Sequence, residues 1–105
     1  ISDLKREIKN FVKKRDWEKN HSPKNLSMSL AIEAAELMEN FQWITEKQSA
    51  GKFKSKQLEE IKDELADVAI YLLDLCDVLG ADLSEAIRKK MVKNAHKYPI
   101  GRKLN

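Results

Sequence analysis

Cysteine, glycine and proline are all scarce in this 105-residue chain, which has one Cys, three Gly and two Pro. The lone Cys76 cannot form an intrachain disulfide, so no disulfide framework holds the fold. Its apolar surroundings mark it as a reduced, buried, structural thiol. Three glycines exclude a P-loop or a Gly-rich dinucleotide fingerprint. The two histidines, His21 and His96, lie far apart, and without a Cys/His cluster the usual zinc ligand sets are excluded. No alternating strand pattern, internal repeat or low-complexity tract is present, so β architectures are set aside. The most apolar segment, Leu65 to Leu79, carries Asp67, Asp74 and Asp77, which argues against a membrane span. No targeting motif is visible, and a cytoplasmic location is expected.

What remains is a single domain with 35% charged residues and a net charge of +3. That size supports one core and gains from oligomerisation. The mild positive balance admits anionic ligands but falls short of a dedicated nucleic-acid binder. Apolar spacing predicts helices at about Ser2–Asp16, to Trp43 after a break over 17–25 in which Pro23 interrupts the pattern and Ser22 and Asn25 favour caps, from an N-cap at Ser55 to Gly80, and from Asp82 to just before Pro99. Asp82-x-x-Glu85 reads as a capping box. The stretch 45–57 is a polar connector with room for a helical turn, and the tail IGRKLN is expected to be loose. The fold class is therefore all-α, a four-helix bundle. Its third helix carries one apolar stripe through Ile61, Leu65, Val68, Leu72 and Leu75 and a second through Ala66, Ala69, Leu73 and Cys76. The second helix has a main stripe through Leu26, Leu30, Leu37 and Phe41 and a small-residue face at Ala31, Ala35 and Met38. Helices apolar on two sides need two sets of neighbours, so a homo-oligomer is expected, a dimer or a tetramer built as a dimer of dimers.

Two acidic pairs stand out within these helices, Glu33-x-x-Glu36 and Glu64-x-x-Asp67. Residues three apart share one side of a helix, so each pair aims two carboxylates at one spot. No Lys or Arg occurs from Ser29 to Ile44 or from Glu64 to Ile87 to neutralise them. Converging carboxylates repel and raise one another's pKa unless a cation joins them. Oxygen-only ligation favours Mg²⁺, with Mn²⁺ as a substitute, and such sites usually act on phosphates. A ferritin-like di-iron site is excluded because neither pair is Glu-x-x-His. Glu7, Glu18, Glu46, Glu59 and Glu85 read as ordinary solvated helix faces.

Five blocks in order resemble the MazG-like all-α nucleotide pyrophosphohydrolases, in their short branch that includes dCTP pyrophosphatases. They are Arg15-Asp16-Trp17, His21-x-Pro23-x-Asn25-Leu26, Glu33-x-x-Glu36-Leu37-x-Glu39-x-Phe41-Gln42-Trp43, Glu64-Leu65-x-Asp67-Val68-x-Ile70-Tyr71-Leu72, and Lys90-Met91-x-x-Asn94-x-x-Lys97-Tyr98-Pro99. The resemblance implies a Mg²⁺-dependent enzyme that splits a nucleoside triphosphate, preferably a dNTP with dCTP among the substrates, into monophosphate and pyrophosphate for nucleotide-pool sanitation. Glu33, Glu36, Glu64 and Asp67 would be its metal ligands. Glu36 is the working choice for the general base, with Glu39 or Glu60 able to assist. Trp17 and Trp43 would meet the base, His21 the substrate, and Tyr71 the sugar or phosphate. Asn94, Lys97 and Tyr98 would meet the triphosphate. Ile8 stands where some dCTP-directed members carry a polar base contact, so acceptance of more than one base is expected. The rival is a non-catalytic helical oligomerisation or nucleic-acid-binding module using Arg88, Lys89, Lys90, Lys93, Lys97, Arg102 and Lys103 as a basic patch. It leaves the acidic pairs unexplained, and no stable nucleic-acid partner is expected.

Overall fold

The computed structural model describes residues 2–101 and is all-helical. Its elements are α1 (Ser2–Lys14), α2 (Pro23–Glu39), α3 (Glu46–Ser49), α4 (Ser55–Leu79) and α5 (Leu83–Lys97), with a 3₁₀ turn at Glu18–Asn20. Four are the long helices expected, and α3 is the helical turn of the polar connector. Among the described residues, no helix is long and apolar enough to cross a membrane. The last four residues of the tail, Arg102 and Lys103 among them, lie outside the described residues.

Local chemistry sets most boundaries. The Ser22 hydroxyl accepts from the Asn25 N–H and Pro23 opens α2, where its missing N–H costs nothing. Gly80 closes α4 in the left-handed region at φ 67°. Asp82 accepts from the Glu85 N–H at 3.1 Å, while the Glu85 carboxylate meets Lys89 at 2.7 Å instead of completing the box. Three boundaries differ from expectation. Ser55 is the first residue of α4 and Lys54 is its cap, with Gln57 accepting the Lys54 N–H. α2 ends at Glu39 rather than Trp43, because the Asn40 carboxamide donates to the carbonyls of Glu36 and Leu37 and takes over the helix end. The chain then runs through turns, and Phe41 packs edge-on against Phe53 with ring centroids 5.7 Å apart. α1 ends at Lys14, with Asp16 left-handed at φ 55°.

Packing is dominated by α2 against α4, with α1 laid along α4 as well, whereas α5 makes only slight contact with the other helices. Leu26 and Ile61 are buried, as expected of their stripes. Val12, Leu73 and Cys76 are buried as well. Leu65 is half exposed despite its place in the expected stripe. The accessible surface is 8861 Å², against about 6,000 Å² for a folded monomer of this mass. The radius of gyration is 17.0 Å, where a compact domain of ~100 residues has about 13 Å.

Candidate active site

The α2–α4 contact brings the two acidic pairs together. One carboxylate oxygen from each of Glu33, Glu64 and Asp67 lies within 4.8 Å of the others. Oxygens around octahedral Mg²⁺ stand about 3–4 Å apart, so a small side-chain adjustment would let these three coordinate one ion. Glu33 Oε2 and Glu64 Oε2 are buried and have no hydrogen-bond partner. A buried polar atom left unpaired costs about 1–3 kcal/mol, and a hard cation is the group that would satisfy both. Glu36, the fourth expected ligand, is outside this trio but adjacent to it. The close approach of its carboxyl is the main cause that pushes the Glu33 carboxyl from 4.5 up to about 7, followed by burial and Glu64. Glu64 is raised as well, chiefly by burial, with the charges of Glu36 and Asp67 adding to the shift.

Two clefts flank the acids. A polar one of about 360 Å³ is lined by Glu36, Glu39, Asn40, Glu60 and Glu64. An apolar one of about 590 Å³ lies between α1 and α4, walled by residues that include Ile8, Phe11, Trp17, Ala69 and Tyr71, and it reaches Asp67. The second apolar stripe of α4 is thus largely the wall of this cleft. No Lys or Arg among the described residues lines either cleft.

The expected substrate contacts divide into two groups. Trp17, His21 and Tyr71 all line the apolar cleft. Trp17 stands edge-on to Phe11 at 5.7 Å, and the Arg15 guanidinium covers the other ring at 3.5 Å from the Phe11 centroid. Trp43 is not brought there. It lies in the turns after α2 and is 86% exposed. Asn94, Lys97 and Tyr98 sit at the far end of α5 and line neither cleft; the Lys97 ammonium lies over the Tyr98 ring at 5.3 Å.

One residue escaped sequence reasoning. Asp74 is buried and accepts from His21 Nδ1 at 2.7 Å across 53 positions of sequence. The available signal was its register: Asp67, Tyr71 and Asp74 recur at four and three residues on one face of α4.

This arrangement of acids beside an apolar cleft has relatives. The model of the MazG-like family matches residues 28–105, and the chain belongs to that family. The dCTP pyrophosphatase 1 of Rattus norvegicus is 36% identical over 101 residues, covering 95% of this chain and 59% of that protein. The Homo sapiens dCTP pyrophosphatase 1 is 36% identical over 100 residues, covering 94% and 59%. The chain therefore spans about three fifths of the length of these curated relatives. The crystal structure of a pyrophosphatase from Archaeoglobus fulgidus matches with a TM-score of 0.82 at 43% identity, over 93% of this chain and 91% of that one.

Proposed function

We propose that the chain is a cytoplasmic, Mg²⁺-dependent nucleoside triphosphate pyrophosphohydrolase that converts dNTPs, dCTP among them, to monophosphate and pyrophosphate in nucleotide-pool sanitation. The observation that carries the reading is the pair of buried, unpartnered oxygens on Glu33 and Glu64, set beside an apolar cleft that ends at Asp67. The names of the similar proteins, dCTP pyrophosphatase and pyrophosphatase, agree with it.

Glu33, Glu64 and Asp67 would hold the cation, with Glu36 completing the set. Mg²⁺ or Mn²⁺, when bound, supplies charge neutralisation and polarises a phosphoryl oxygen. The base enters the apolar cleft and stacks on Trp17, with Tyr71 against the sugar. The triphosphate then passes the acids toward the polar cleft, where the attacking water sits. Glu36 takes the proton of that water, and Glu39 and Glu60 line the same cleft as its alternatives.

The site is completed by assembly in this reading. The chain works as a homodimer or a dimer-of-dimers tetramer. A neighbour's α5 brings Asn94, Lys97 and Tyr98 to the triphosphate, and the projecting Trp43 closes over a neighbour's base. The excess surface and the isolation of α5 support this.

The test is pyrophosphate release from a panel of dNTPs with Mg²⁺, Mn²⁺ or EDTA. Cation-dependent release with monophosphate as co-product is expected. Absence of release from every dNTP in the presence of either cation overturns the reading.

A further inference from the structure

We propose that Asp74 is a positioning residue that fixes the tautomer of His21, and that His21 thereby selects bases carrying an amine over bases carrying a carbonyl at the same ring position. The inference deepens the assignment of the apolar cleft to the nucleobase and rests on it.

Asp74 interrupts the apolar run of α4 and is only 6% exposed. A charge taken out of water is costly unless it is paired, and its partner is His21 Nδ1 at 2.7 Å, with the His side chain 19% exposed. A carboxylate only accepts, so Nδ1 carries the proton. In the neutral ring Nε2 is then left as an acceptor. Both residues line the apolar cleft, and the His21 and Trp17 rings lie 6.2 Å apart. A base stacked on Trp17 therefore has the imidazole within reach of its edge.

The other polar side chains of the cleft sharpen the preference. Glu7 accepts only, Asp67 belongs to the acidic trio, and the Tyr71 hydroxyl both donates and accepts. Among the described residues that line it, Trp17 alone donates without accepting, through its indole N–H, and its ring is taken up as the stacking face. An edge lined by acceptors welcomes the amines of cytosine and adenine and repels the carbonyls that thymine and guanine present at the equivalent position. Ile8 on the same wall contributes no hydrogen bond, so the discrimination falls to His21.

The experiment compares kcat/KM for the four dNTPs at one fixed pH in wild type, His21→Phe and Asp74→Asn. His21→Phe keeps a flat ring without Nε2 and should lower the ratio of amino to keto substrates by about tenfold. Asp74→Asn keeps the bridge, but its carboxamide donates to Nδ1 and moves the proton to Nε2, as in the tautomer reversal known for a triad Asp→Asn change. That variant should keep its melting temperature and shift preference toward the keto bases. A purely structural bridge predicts the opposite outcome, an unchanged ratio in both folded variants, and this overturns the proposal while the enzymatic reading stands. A wild type that turns over no dNTP overturns both.

Discussion

The main-chain N–H of Trp17 donates to the carbonyl of Val12 at 3.2 Å, while the N–H of Asp16 donates to Lys13. This is the hydrogen-bond pair that ends a helix on a left-handed residue, and that residue here is Asp16 rather than glycine. The turn folds the chain back and sets the indole against Phe11 at the mouth of the apolar cleft. Asp16→Val is expected to destabilise the protein by about 1–2 kcal/mol, because a branched side chain is strained there. Asp16→Gly should stay within about 1 kcal/mol of wild type. Thermal melts of the two variants check this, and equal melting temperatures would mean that the turn is not under constraint.

Glu64→Gln removes one charge from the acidic trio with little change of shape. Cation-dependent pyrophosphate release should fall by about 100-fold or more while the helical circular dichroism persists. The melting temperature in EDTA should hold or rise, since one source of repulsion is gone. Near wild-type turnover in this variant would remove the metal assignment.

The acidity of Glu33 gives a pH test with a definite sign. Its carboxyl lies at about 7 in the fold against an ordinary value of 4.5, so the folded state keeps a proton that the unfolded chain releases. That contribution is fully present below pH 4.5 and is lost as the pH rises through about 7. In EDTA the melting temperature should therefore decline across that window, and Mg²⁺ should flatten the slope by taking the proton's place. A melting temperature that rises with pH in EDTA would contradict the arrangement of the carboxylates.

Much of this was legible in the sequence, and what was not has identifiable causes. Ser22-Pro23, Gly80 and Asp82 announced helix ends by side-chain chemistry that acts within a few residues. The acidic pairs were visible because their three-residue spacing converts directly into one helix side. The end of α2 was misplaced because Asn40 competes for its own helix's carbonyls, an outcome that propensity does not distinguish from one more helical turn. The His21–Asp74 bridge joins a loop to a helix 53 positions away, and no local pattern encodes such a pairing. Leu65 follows the stripe yet remains half exposed, because spacing does not say which flank of a two-sided helix finds a neighbour.

Assembly should be visible in solution. Light scattering at micromolar concentration is expected to give a dimer or tetramer. The melting temperature should also rise with protein concentration, because folding and association share the same apolar surface. A stable, fully active 12.1 kDa monomer would refute it.

The two tryptophans should separate in a nucleotide titration followed by fluorescence. Base–aromatic stacking contributes about 1–3 kcal/mol, so Trp17→Ala should weaken dNTP affinity roughly five- to 150-fold. Trp43→Ala should do so only where chains are associated, and the loss should vanish on dilution to the monomer. Unchanged affinity in both folded variants would return the rings to purely structural roles.

Asp67 lines the apolar cleft and belongs to the acidic trio at once. Whatever fills the cleft thus bears on a group that the proposed cation would use, and the two binding events would be thermodynamically linked. Linkage is reciprocal: the factor by which a nucleotide tightens the cation equals the factor by which the cation tightens the nucleotide. Neither a bare nucleoside nor free cation collects that bonus alone. In the proposed reaction the monophosphate, stripped of the phosphates that would reach the acids, keeps only the part of this coupling carried through the cleft, so the intact triphosphate would be held more tightly than what remains.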